Sequence, residues 1–268
     1  MDGRLAIIGT GRMGEALLSG LLRSGWPEPS QVTVTSRREE RCRDLEQRFG
    51  VDATTDNQAA IADADVVILA VKPQSIAALL AADAGAFREG HTVISVIAGV
   101  PTSTIEDAIG GLPVVRVMSN VPVQVDEAMS VVSAGRHADE AHLEIAEKIL
   151  GHVGRVLRLP EEHLDSVTAL SGSGPAYFFL LAEAMIDAGI LLGLPRDTAT
   201  ELIIQTMVGS AKMLRDTGRH PVELREMVTS PGGTTIAAIR VLEEERVRAA
   251  FLNAIEAAKL RSEELARS

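Results

Sequence analysis

The chain has 268 residues, of which 46% are hydrophobic and 24% charged, enough apolar content for a buried core and too much for wholesale disorder. With 26 basic residues against 37 acidic ones, the net charge is −11, and aromatics make up only 3%. An acidic chain without a basic tract, and with few rings to stack on bases, is not expected to bind nucleic acid or an anionic membrane surface.

The chain opens Met1-Asp2-Gly3-Arg4 and runs into Leu5-Ala6-Ile7-Ile8, an apolar run too short for a signal peptide. A cytoplasmic location is therefore expected. Residues 5–8 read as a first strand and 13–24 as a helix stopped by Gly25. Between them lies Gly9-Thr10-Gly11-Arg12-Met13-Gly14, which fits G-x-G-x-x-G in the strand-to-helix context the motif needs. Gly9 would permit the tight turn, Gly11 would let the backbone approach a pyrophosphate, and Gly14 would let the helix close on the strand. A glycine-rich turn without a ligand is the plainer alternative.

The second strand, 32–35, ends in Thr35-Ser36-Arg37-Arg38. An NAD site usually places an acid about 20 residues past the glycines to hold the ribose 2′-hydroxyl. Here a hydroxyl (Ser36) and a guanidinium (Arg37) stand instead, a pair suited to a 2′-phosphate. NADPH is thus expected over NADH, with NADH still possible; Arg37 and Arg38 also read as a solvated helix start. A helix over 38–49 stops at Gly50, and a weak strand follows near Val51. Strands over 66–71, 92–97 and 114–118 alternate with helices over 75–82 and 103–109. Two further β-like runs, 129–133 and 155–159, bracket a helix over 138–150. Apolar strands without polar alternation, separated by helices, predict a mainly parallel α/β sheet of Rossmann-like type. Ligands in such sheets lie at the carboxyl ends of the strands. That adds Ala70, Val71, Lys72 and Pro73 after one strand and Ala98 and Gly99 after the next. On position alone, Lys72 reads equally as a surface lysine.

After Pro160 no convincing strand follows. Helices are expected over 161–170, 176–192, 196–217, 222–227, 235–245 and 246–265. The domain boundary is placed at Pro160, giving a dinucleotide-binding domain of 1–160 and an all-α domain of 161–268. The apolar stretch from Ala176 to Gly193 approaches membrane-spanning length, but Glu183 and Asp187 share one helical face, which favours a soluble helix. A helical domain of about a hundred residues seldom buries such a helix on all sides, so packing against a second copy is expected.

Two Gly/Ser/Pro clusters interrupt this half: Leu170-Ser171-Gly172-Ser173-Gly174-Pro175-Ala176-Tyr177 and Thr229-Ser230-Pro231-Gly232-Gly233-Thr234-Thr235. Small residues feeding a helix start leave backbone N–H groups free for an anion, or serve simply as caps. Cys42 is the single cysteine, so an internal disulfide or thiolate cluster is ruled out. The six histidines (His91, His137, His142, His152, His163, His220) lack metal-ligand spacing, and no metal is expected.

Over nearly its full length the chain resembles the pyrroline-5-carboxylate reductases of proline biosynthesis. The resemblance is carried by the Gly9–Gly14 turn, Asn57, Ala70-Val71-Lys72-Pro73, Ser171-Gly172-Ser173-Gly174-Pro175-Ala176-Tyr177, Gly193-Leu194-Pro195-Arg196 and Ser230-Pro231-Gly232-Gly233-Thr234-Thr235. In Arg116-Val117-Met118-Ser119-Asn120-Val121-Pro122, Ser and Val stand where the family often has Pro or Thr. The resemblance implies an NAD(P)-binding domain followed by a helical dimerisation domain, and reduction of the cyclic imine L-1-pyrroline-5-carboxylate to L-proline. It further implies a homodimer, with dimers arranged in a ring. By the same resemblance the backbone amides of Gly233, Thr234 and Thr235, in the turn made by Gly232, would bind the substrate carboxylate. The Thr235 hydroxyl would sit by the ring nitrogen as the catalytic group, Glu161 would neighbour the substrate, and Asn57 would touch the cofactor near its nicotinamide ribose. A β-hydroxyacid dehydrogenase on the same plan would need a lysine on the long helix after the nucleotide domain, but beyond Pro160 the lysines are Lys212 and Lys259, neither near its start. A dinucleotide-binding sensor without chemistry is the rival from another class.

Overall fold

The computed structural model describes residues 3–267. Eight strands form one sheet: β1 Leu5–Ile8, β2 Val32–Thr35, β3 Asp52–Thr54, β4 Val66–Leu69, β5 Thr92–Ser95, β6 Val114–Met118, β7 Ala128–Ala134 and β8 Gly154–Arg158. Their order is β3-β2-β1-β4-β5-β6-β7-β8. All neighbours pair parallel except β6 with β7, so the expected mainly parallel Rossmann-like sheet is what forms. β1, β4 and β5 are buried along their whole length, because helices cover both faces. Alternate residues feed separate cores: Leu5 and Ile7 join Leu17, Leu21 and Ile149 on one face, while Ala6 and Ile8 join Ile61, Leu80 and Ile105 on the other. β1 pairs with β2 on one side and β4 on the other, so the chain reverses its direction of winding there. That is where an open α/β sheet leaves a crevice at its carboxyl ends.

The helices of this half are α1 Arg12–Arg23, α2 Glu39–Phe49, α3 Asn57–Ala62, α4 Pro73–Asp83, α5 Thr102–Ala108 and α6 Glu140–Gly151. The sequence pattern missed α3. Its six residues hold less than two turns of periodicity, and its start is set by Asp56, whose carboxylate accepts the Ala59 N–H at 3.0 Å.

The regular helix expected over 161–170 does not form. A 3₁₀ turn at Glu161–His163 leads to α7 Leu164–Val167 and then to a π-helical turn, Thr168–Gly172. The Thr168 and Ser171 hydroxyls donate back to the carbonyls of Leu164 and Val167 at 2.8 and 3.1 Å, competition with the helix ladder of the kind that loosens it. The first Gly/Ser cluster is therefore helical rather than an open loop. Its amides are engaged along the turn, Ser173 donating to the Thr168 carbonyl at 2.8 Å, and it is not an anion cradle.

Four helices follow, α8 Gly174–Leu191, α9 Arg196–Thr217, α10 Pro221–Met227 and α11 Thr234–Glu244, and then α12 Val247–Arg267. By contact density the chain divides into Met1–Ser173 with Ala258–Ser268, and Gly174–Ala257. Within Gly174–Ala257, Gly174 and Ala199 alone are buried. A Cβ on Gly189 would collide with that of Ala199, so glycine is what lets α8 approach α9. Another face of α8 is exposed: Phe178, Phe179 and Leu180 are 60%, 65% and 67% exposed. With the turns before it (Glu161–Leu191), α8 is, among the described residues, the one helix long and apolar enough to cross a membrane by composition. It carries Glu183 and Asp187, and its apolar residues lack cover within one chain.

Candidate active site

The glycine turn is pinned by the residue that ends β2. Thr35, buried, accepts the Gly9 N–H on its hydroxyl at 3.1 Å, and its carbonyl accepts the Thr10 N–H and hydroxyl at 3.1 and 3.0 Å. Sequence reasoning did not single Thr35 out, because its partner lies across two strands that only the sheet order brings together. Gly9 has φ +93, and a Cβ there would run into Val71. A Cβ on Gly14 would collide with the Gly9 carbonyl. Both glycines are thus demanded by the fold. Gly11 is not: its φ is −74, and a Cβ there would meet nothing within 4 Å. What its bare backbone leaves is open space at the uncapped N-terminus of α1, where free amides favour an anion. Gly11→Ala is expected to leave the melting temperature nearly unchanged while weakening NADPH binding about tenfold, as read by fluorescence titration.

Gly9, Thr10 and Gly11 line a cavity of about 920 Å³ together with Ser36, Arg37, Arg38, Arg41, Asn57, Ala70, Val71 and Lys72. Arg12 is exposed and Gly14 is buried, while Met13 packs against the core, so these three contribute backbone at the helix start rather than side chains to the wall. Arg41 was not foreseen; it lies in the first turn of α2. Its guanidinium is paired with Glu15 and Asp44. Arg48 joins the same two acids, and the hydrogen bond it donates to Glu15 is the main reason its pKa is raised. In contrast, the side chains of Arg37 and Arg38 make no hydrogen bond or ion pair among the described residues. They remain available to a ligand anion at the end of β2, where Thr35-Ser36-Arg37-Arg38 includes no acid.

Asn57 opens α3 just past β3, whose Thr54 is the register partner of Thr35. Its Nδ2 donates to the buried Asp83 carboxylate at 2.9 Å. Asn57 lines the same cavity as Ser36, Arg37 and the residues that follow β4. Pro73, Ala98 and Gly99 instead line a second cavity of about 880 Å³, with Thr104, Thr168, Ser173, Arg261 and Ser262. The Ser262 hydroxyl donates to Asp165 at 2.6 Å, fixing the last turns of α12 there.

Glu161 is not a free acid. Both carboxylate oxygens accept hydrogen bonds, from the Thr102 N–H and hydroxyl and from Arg116, at 2.8, 2.8 and 3.0 Å.

In the second unit, the turn before α11 is made by Gly232 at φ +69. The Gly233 N–H donates to the Ser230 carbonyl at 3.1 Å, and a Cβ on Gly233 would press on Ser230. Of the three amides implied to hold a carboxylate, that of Gly233 is therefore already engaged. Those of Thr234 and Thr235 lie in the first turn of α11, which has no side-chain cap, and first-turn amides have no partner within the helix. The Thr235 hydroxyl makes no hydrogen bond among the described residues, and the residue is partly exposed.

Comparison with known proteins gives two family matches. Residues 161–265 match the pyrroline-5-carboxylate reductase dimerisation family, and residues 4–99 match a family described as NADP oxidoreductase coenzyme F420-dependent. A pyrroline-5-carboxylate reductase of Corynebacterium melassecola is 47% identical over 265 residues, covering 97% of this chain and 98% of that one. Among solved structures, the pyrroline-5-carboxylate reductase of Coxiella burnetii superposes with a TM-score of 0.92 at 38% identity, covering 99% of each chain. The pyrroline carboxylate reductase of Plasmodium falciparum, solved with NADP bound, gives 0.90 at 26% identity, covering 99% of this chain and 98% of that one. The chain, with the nucleotide crevice and the small-residue turn before α11, belongs to the pyrroline-5-carboxylate reductase family.

Proposed function

We propose that the chain reduces L-1-pyrroline-5-carboxylate, a cyclic imine bearing a carboxylate, to L-proline at the expense of a nicotinamide dinucleotide, NADPH in preference to NADH. The observation that carries the reading is the open space beside Gly11, in a turn whose other two glycines are required by the protein itself. Nothing in the fold needs a glycine there, whereas a pyrophosphate lying against the backbone does.

When bound, the dinucleotide supplies the hydride. The chain's own residues place it. Gly9, Thr10, Gly11, Arg12, Met13 and Gly14 hold the pyrophosphate, and Ser36 with Arg37 holds the 2′-phosphate. Asn57, which lines the same cavity, assists in holding the dinucleotide. Ala70, Val71, Lys72, Pro73, Ala98 and Gly99 wall the remainder at the ends of β4 and β5. On the helical side, the Thr234 and Thr235 amides receive the substrate carboxylate, and Gly232 and Gly233 shape the turn that presents them. The Thr235 hydroxyl orients the ring nitrogen. A protonated imine already carries the charge that draws hydride, so the protein's task is placement more than activation.

The dimerisation match and the bare face of α8 fit a homodimer joined through the C-terminal helices, with dimers assembling further into a ring. The reading divides the chain into a dinucleotide domain of 1–160 and a dimerisation and substrate domain of 161–268, working in the cytoplasm. Initial rates with five- and six-membered cyclic imino acids, each with NADPH and NADH, test it. Rapid NADPH oxidation with the five-membered imine, yielding proline, is expected. Cofactor binding with no change in absorbance on adding the imine would leave a sensor. Turnover of 3-hydroxy acids without imine reduction would point to a dehydrogenase instead.

A further inference from the structure

Three elements of the first unit converge on one carboxylate. Arg116 lies within β6 with its side chain 11% exposed, and a guanidinium so placed is costly without a counter-charge. Glu161 provides it, Oε1 accepting from Arg116 at 3.0 Å. The same oxygen accepts the Thr102 backbone N–H at 2.8 Å, and Oε2 accepts the Thr102 hydroxyl at 2.8 Å. Thr102 is the first residue of α5, and the capping position before it is Pro101, which offers no side-chain acceptor. Glu161 therefore caps α5 from 59 residues away.

The consequence falls on the loop of residues 96–101. One end is fixed by β5 in the sheet, and the other enters α5 at the residue Glu161 grips. Ala98, Gly99, Val100 and Pro101 from this loop form one wall of the second cavity, and Gly99 is held there at φ +74.

We propose that Glu161 is a positioning residue. Through Thr102 it sets the shape of the loop that receives the nicotinamide half of the dinucleotide. This assignment rests on the reading of Ala98 and Gly99 as dinucleotide-binding residues. It gives Glu161 a positioning role beside the substrate-neighbouring one that family resemblance implies, since its carboxylate already accepts three hydrogen bonds from protein donors.

The test is NADPH affinity of the free protein, with no imine present. Glu161→Gln keeps the size of the side chain, but it removes the charge that pairs with Arg116, and one of its two terminal atoms can no longer accept. NADPH Kd is expected to rise about tenfold, the scale of one charge-assisted hydrogen bond. Thr102→Val retains the backbone N–H and removes only the hydroxyl; a rise of about threefold is expected, with Thr102→Ser restoring affinity. The double variant should bind no more weakly than Glu161→Gln alone, the non-additivity of residues acting through one contact. Arg158→Met, which removes the pairing with Glu140 and Glu147 on the edge strand β8, is the control: it lowers the melting temperature without moving NADPH Kd. If Glu161→Gln fails to fold, the Val and Ser variants of Thr102 decide the matter. Unchanged NADPH Kd in Glu161→Gln and Thr102→Val overturns the proposal, and an accompanying rise in KM for the imine would return Glu161 to the substrate. A wild-type protein that binds NADPH yet leaves the imine untouched would defeat the functional reading and leave this one standing.

Discussion

Thr235→Ala lowers kcat for imine reduction by about 10²-fold, the scale of misplacing a reacting group by an ångström, and leaves NADPH affinity unchanged. The residue is the second of α11, after a turn that Gly232 makes at φ +69 and Gly233 closes onto Ser230. Its backbone amide needs no side chain to hold a carboxylate, so alanine keeps that contact and KM should move far less than kcat. What alanine removes is the hydroxyl, which has no protein partner among the described residues and so is free to meet the ring nitrogen. Thr235→Ser restores most of the rate, since serine keeps the hydroxyl and loses only a methyl group. Single-turnover rates with NADPH in excess read the chemical step directly. Wild-type turnover in the alanine variant would remove Thr235 from the mechanism.

Arg37→Asp reverses the cofactor preference. If Arg37 holds a 2′-phosphate as proposed, replacing this cation by an anion turns attraction into repulsion, and kcat/KM with NADPH should fall about 10²–10³-fold, roughly 3–4 kcal/mol. NADH has a hydroxyl there, which an aspartate accepts as a hydrogen-bond donor, so its kcat/KM should hold or rise. Arg41 cannot take over, because its guanidinium is already paired with Glu15 and Asp44. Higher salt should shrink the effect. Equal losses with both cofactors would show that Arg37 supports the fold of the crevice rather than reading the phosphate.

The sheet was legible in the sequence because its central strands are buried on both faces and so rich in apolar and β-branched residues. Leu5–Ile8, Val32–Thr35 and Val114–Met118 fall where the pattern places them. The glycine turn was legible too, since its spacing and context are local. What escaped is what depends on distant neighbours. Thr35 anchors a turn 25 and 26 residues earlier, and Glu161 answers Thr102 and Arg116 from 59 and 45 residues away. Periodicity carries no trace of such pairs. The π-helical turn at Thr168–Gly172 escaped for another reason: a run of Ser and Gly reads as a loop, and only the back-bonded hydroxyls of Thr168 and Ser171 reveal a helix under competition. Asn57 is legible by resemblance, but the α3 it opens is not, because six residues hold too little periodicity to show.

The helical unit Gly174–Ala257 keeps two small residues, Gly174 and Ala199, from solvent. A segment with so little interior has no thermodynamic reason to hold its shape in isolation. The apolar surface this leaves, on α8 above all, is what the dimerisation-family match over residues 161–265 leads one to expect a second chain to cover. Mass action then bears on this half of the molecule, whose stability is expected to grow with protein concentration, as melting at several dilutions would read.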